Sequence, residues 1–446
     1  QQVRALGTEL IVSLTTQQVA ALRVDQLNGL RTEQVAALET ADLVSLTASQ
    51  FTSLNSTQIQ ALTTDQIVNL IASQLSAFST GQVANLKVSQ VAAFETRDMS
   101  GFSTAQVAAM TAAQVKALKT EQLQALSSDQ IKAIETGDLA AMTASQVAAF
   151  SSNQIRVLST GQLNALTATE LNALSDTQLQ SLSTTQVNAL SSSSVAKLKA
   201  TQVAALSTAQ VAAMTSDQVK ALSVLSVAAL SANQLNAMTT TQVQSLTANQ
   251  LKALGSTTVA ALNTTQVAAL STAQVAGLSV ASLAALSNTQ VAAMTTTQVQ
   301  SLTDTQIKSL SADKVTALTS TQVSALQTSQ LKSLSTAQLQ ALDASDVAAM
   351  GTAQVQALTD TQVKAMTTAA MAALTTTQVG ALTTGQVKAL SAAQVTALTT
   401  ASVAKLSTTQ LSALSSTQVR ALTTSAVAGM SSTQVNALST SQVASL

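Results

Sequence analysis

Few residues in this chain have types and spacings that could do chemistry. His, Cys, Trp, Tyr and Pro are absent from all 446 positions. A hydroxyl nucleophile therefore has no imidazole base, there is no thiolate, and soft-metal ligands are missing. Two Ser–Lys pairs remain, Ser194 with Lys197 and Ser402 with Lys405. Both stand where a repeating pattern drifts, and drift is the preferred reading. The carboxylate pairs Glu95/Asp98 and Glu135/Asp138 have the oxygens a weak Ca²⁺ site would use. The same spacing suits a helix cap with an acid at the third helical position, and that role is preferred. The 12 Gly are scattered and form no phosphate-cradling loop. We therefore expect no enzyme, no cofactor and no metal.

Composition narrows the partners. The chain carries 20 basic and 20 acidic residues, so its formal charge is zero. That argues against a nucleic-acid binder relying on phosphate neutralisation. With 46% apolar and only 9% charged residues, it is also wrong for a solvated disordered chain. No apolar run approaches the roughly 20 residues of a membrane span. The opening Gln1-Gln2-Val3-Arg4 has neither an initiator Met nor a signal-peptide pattern.

The elements that must position these residues follow an octapeptide register. Cutting every eight residues from Gln1 gives 55 complete units and six further residues, without an insertion or deletion. Slots 3 and 6 are apolar in all 56 units, and all five Phe (Phe51, Phe78, Phe94, Phe102, Phe150) fall in them. Slot 5 is mostly Ala, slot 2 is Gln in 42 units, and slot 7 is Ser or Thr in 39 of 55. No linker or composition break divides the array, so residues 1–446 read as one continuous solenoid without separate domains.

One long α-helix fails, because the apolar pair would rotate by about 80° at each unit. The break is written as a capping box: Ser207-Thr208-Ala209-Gln210 has the N-cap hydroxyl and the Gln three residues later. The Leu before the cap and the Val after it occupy the hydrophobic staple positions. Each unit then reads as a helix from slot 8 to the next slot 6, seven residues long. All 20 acidic residues lie in slots 7, 8, 1 and 2, and 11 of 20 basic ones in slot 4, as the helix dipole favours. A β-solenoid is the rival, but period-2 alternation and tight-corner residues are missing.

A second rhythm overlies the first. Slot 2 lacks Gln at Ser194, Ser226, Thr258, Ser282, Lys314, Asp346, Ala370, Ser402 and Ala426, in steps of three or four units that average 3.6. Slot-4 cations Lys220, Lys252, Lys308, Lys332, Lys364, Lys388 and Arg420 keep nearly the same rhythm. The expectation is an all-α superhelix of very short capped helices, one per repeat, with about 3.6 repeats per turn. The cation line is a candidate lateral interface, weighed against a merely solvated face. Recent duplication is the plainer source of the rhythm, since Asn236–Leu246 nearly recurs at Ala292–Leu302.

The motif [ST]-x-x-Q-[VIL]-x-A-[LM], as in Thr264–Val275, resembles octapeptide arrays of large exported bacterial surface and filament proteins. The resemblance implies an extracellular or cell-surface structural protein, a rod-like shaft or filament protomer whose partner is itself. The alternative is a solenoid scaffold that binds another protein along one face. The run Leu-Thr-x-x-Gln-Val-x-Ala also looks like the opening of a TAL-effector repeat. The 34-residue period, base-reading loop and basic charge of those repeats are absent, so DNA reading is rejected.

Overall fold

The computed structural model describes residues 2–446; Gln1, where the register begins, lies outside them. Among the described residues a 3₁₀ turn, Val3–Ala5, is followed by 55 α-helices and no strand. We number the helices in chain order from α1 (Thr8–Val12) to α55 (Thr440–Val443). None is long and apolar enough to cross a membrane. The all-α reading, one short helix per repeat, is what the chain adopts.

The helices are shorter than the spacing predicts. A typical one, α26 (Thr208–Ala213), runs from slot 8 only to slot 5. The slot-6 residue has already left it: Met214 is extended at φ −62° and ψ 148°, and its N–H bonds Val211 O at 3.1 Å. The cause is the cap that follows. Thr215 must itself be extended, at φ −76° and ψ 159°, to turn its hydroxyl onto the next helix. Two consecutive extended residues therefore separate neighbouring helices, and the slot-6 side chain swings inward beside slot 3.

By its internal contacts the chain groups into two compact units, Gln1–Ser226 and Val227–Leu446. In the first, α22 (Asp176–Ser181) packs against α25 (Ala200–Ala205) and is hydrogen-bonded by Gln210 of α26. In the second, α34 (Thr272–Gly277) packs against α37 (Thr296–Ser301) and is hydrogen-bonded by Gln306 of α38 (Asp304–Ser309). Each helix thus meets the third and the fourth helices after it. Those two neighbours bracket the expected 3.6 repeats per turn, and helices can rest in a staggered layer where strands could not.

Slots 3 and 6 form the core of each unit: Leu163 and Val299 are wholly buried, and Leu166 and Leu302 nearly so. Near the start of the first unit the core widens to hold aromatic rings. Phe51 stands edge-to-face on Phe78, and Phe94 on Phe102, both at 5.0 Å. The Ala of slot 5 does not line a central axis, as its near-uniformity suggested. It is half-buried where layers touch: a Cβ on Gly277 would lie 3.3 Å from the Cβ of Ala248. At Gly429 it would lie 2.8 Å from Thr400 Cγ2, so this contact admits no side chain without movement.

Candidate functional site

Where sequence chemistry converges is not a pocket but the slot-2 Gln, repeated along the chain. Gln210 shows the full arrangement. Its Oε1 accepts the N–H of the cap residue Ser207 at 2.9 Å, while its own N–H donates to Ser207 Oγ at 3.2 Å. Its Nε2 then donates to Leu179 O and Leu182 O, both at 2.8 Å, at the C-terminal end of α22. Gln130, Gln338 and Gln386 repeat the two inter-layer bonds, to Met99 and Phe102, Ile307 and Leu310, and Val355 and Leu358. One buried amide therefore closes its own helix and ties it to the fourth helix before. Each end group it satisfies would otherwise be an unpaired polar atom next to the core.

The capping half of this arrangement was legible in sequence; the inter-layer half was not. A signal for it exists. A capping box accepts Glu or Gln alike, yet slot 2 holds 42 Gln and a single Glu, Glu170. Only the amide has an N–H to give.

A second tie runs the other way. Slot-4 side chains donate to a slot-5 carbonyl three helices later: Asn164 Nδ2 to Ala189 O at 2.7 Å, Gln180 Nε2 to Ala205 O at 2.8 Å, Thr396 Oγ1 to Ala421 O at 2.8 Å. The slot-4 cations share this register. Lys252, Lys308, Lys332, Lys364, Lys388 and Arg420 are exposed in the second unit, and Lys220 is exposed in the first.

The slot-2 exceptions show what happens without the amide. Ser226 Oγ reaches Leu198 O at 3.1 Å and restores one bond. Glu170 accepts the Thr167 N–H at 2.6 Å but has no amide N–H to offer the layer before. Asp42 is 2% exposed and leaves Oδ2 without a partner. Burial, and then Glu39 nearby, push its carboxyl above the usual range. Asp138 is raised in the same way by burial and Glu135.

The candidate chemical pairs are placed as follows. Ser194 is buried with its Oγ 2.8 Å from Ser191 Oγ, whereas Lys197 is exposed. Ser402 Oγ accepts from Thr399 Oγ1 at 2.8 Å, and Lys405 is exposed. The structure brings neither Ser to its Lys. Asp98 Oδ2 accepts the Glu95 N–H at 2.8 Å, the cap role, and Arg97 Nε bonds Glu95 at 3.0 Å. Among the described residues no three His, Cys, Asp or Glu converge as a metal set would.

Fold and ties together define a class: an α-solenoid of capped mini-helices stacked by side-chain-to-backbone bonds. The chain belongs to the ALTTAQ repeat family, which matches at residues 35–72, 91–128, 131–168, 192–224, 248–280, 323–360, 361–392, 392–424 and 416–446. These stretches cover more than half of it. No curated protein matches the chain.

Proposed function

We propose that this chain is a structural protein: the stiff shaft, or a protomer, of a bacterial extracellular filament or adhesin, built as one continuous array. The observation that carries the reading is the reciprocal tie. Every consensus helix receives bonds from the fourth helix after it and gives them to the fourth before, so adding units needs no new contact. Such a stack resists bending at each layer, through both core and hydrogen bonds. The likeness to exported octapeptide arrays supports placement at the cell surface.

Particle size against concentration, with electron micrographs, tests this. Filaments that lengthen with concentration, or single stiff rods, are expected; compact or flexible particles would overturn it. A second reading is a scaffold that binds another protein along one face. It draws on the exposed slot-4 cations, and a monodisperse particle at every concentration would favour it.

A further inference from the structure

The charged residues of each unit fall on helices that are direct neighbours in the stack. In the first unit Glu9, Glu33, Asp65, Glu95 and Glu121 belong to α1, α4 (Thr32–Ala37), α8 (Thr64–Val68), α12 (Thr96–Met99) and α15 (Thr120–Ala125), with Glu95 as the cap of α12. The steps are three, four, four and three helices, and each is a physical contact. Helix α1 packs on α4, and α12 on α15. Gln66 of α8 donates to Val35 O and Leu38 O beside α4, and Arg97 of α12 donates to Val68 O of α8. All five acids are exposed.

The second unit has the counterpart. Lys308, Lys332, Lys364, Lys388 and Arg420 lie on α38, α41 (Thr328–Ser333), α45 (Asp360–Ala365), α48 (Thr384–Ala389) and α52 (Ser416–Arg420). The steps are three, four, three and four. Helix α38 packs on α41 and α45 on α48; Gln362 ties α45 to α41, and Gln418 ties α52 to α48. Both lines span 112 residues. Counted with their caps, the five helices carry −3 in the first unit and +3 in the second, after Arg31, Arg97 and Lys119 on one side and Asp304 and Asp360 on the other.

We infer that these lines recognise each other between molecules: the acidic line of one copy pairs with the cationic line of a second copy. Successive charges stand about 10 Å apart in both, one helix diameter, so five pairs form in one register. Single exposed pairs contribute little; five in register add, and all fade with salt. This rests on the structural-protein reading and names its partner.

The test uses the full chain in sedimentation velocity, at about 0.02 M and about 0.5 M salt. Association at low salt that disappears at high salt is expected. Replacing the five cations with Glu (Lys308→Glu, Lys332→Glu, Lys364→Glu, Lys388→Glu, Arg420→Glu) should weaken it at least about tenfold. So should Glu9→Lys, Glu33→Lys, Asp65→Lys, Glu95→Lys and Glu121→Lys. Mixing the two variants should restore pairing, each now supplying what the other lost. A cation-to-Gln set, milder on folding, should fall between. Undiminished association of either variant, or no rescue on mixing, overturns the inference. So does binding of polyphosphate by the cation line while self-association ignores the substitutions. Micrographs of the Glu variant separate the two claims: rods that no longer pair support both, and rods that still pair refute only this one. Particles that are not rods refute only the shaft.

Discussion

The two units are built on the same octapeptide and differ in how they break it. In residues 1–226 the slot-2 exceptions include the acids Asp42, Asp98, Asp138 and Glu170, and all five Phe sit in that unit's core. In residues 227–446 the exceptions are mostly small: Thr258, Ser282, Ala370, Ser402 and Ala426, with Lys314 and Asp346. An acid keeps the cap, because its oxygen still accepts the cap N–H, but forfeits the tie to the layer before. A small residue forfeits that acceptor too, yet brings no buried charge. Both compromises keep slots 3 and 6 intact. The apolar pair is thus the condition for the fold, and the amide tie a repeated reinforcement that single units can lose.

The largest test of that ranking removes core from the first unit. Phe51 is wholly buried against Phe78, so Phe51→Ala should cost about 3–5 kcal/mol in urea denaturation. A loss below about 1 kcal/mol would mean the aromatic cluster is not what stabilises that stretch. Gln130→Ala and Gln338→Ala come next, one in each unit. Each strips an acceptor from a cap N–H and donors from two carbonyls. About 2–3 kcal/mol is expected, with faster amide exchange in both tied helices. If exchange rises only in the mutated helix, the inter-layer bonds carry no weight.

Glu170→Gln runs the comparison backwards. It restores the donor that Leu139 and Met142 carbonyls lack opposite Glu170, while the Thr167 N–H keeps its acceptor. A gain of about 1 kcal/mol is expected, seen as slower exchange at the C-terminal end of α17 (Thr136–Leu139). No gain would show that this layer has adjusted around the carboxylate.

Much of this fold was legible because its determinants are local. The cap at Ser207, the box with Gln210 and the buried pair of slots 3 and 6 all lie within one octapeptide. Even the staggered layering could be read from the spacing of Ser282, Lys314 and Asp346. What escaped depends on the layer before. The helix stops at Ala213 rather than Met214 because two extended residues must feed the next cap. Gln210 Nε2 bonds Leu182, 28 residues away. No periodicity within one unit reveals that bond. The preference for amide over acid at one slot is its trace in the sequence.

The smallest effect, and the most specific to the second unit, concerns the box Asp343–Asp346. Here two acids share one cap and are pushed in opposite directions. Hydrogen bonds from the Ser345 hydroxyl and the Asp346 N–H lower Asp343, while burial raises Asp346 against the bonds it accepts from the Asp343 N–H and Ser320 Oγ. A raised group binds its proton more tightly in the folded state than in the unfolded one. Its contribution is therefore full below the ordinary carboxylate value and is lost as pH rises through the raised folded value. Asp343 has the opposite sign: it stabilises above the ordinary value and loses that as pH falls through its lowered one. Asp346→Asn removes only the first term. The variant should gain stability relative to the parent as pH is raised from acid toward neutrality, by at most about 1 kcal/mol. Urea midpoints across that range would show it. A difference that shrinks with rising pH would mean the ionised Asp346 is the favoured form, stabilised by Ser320.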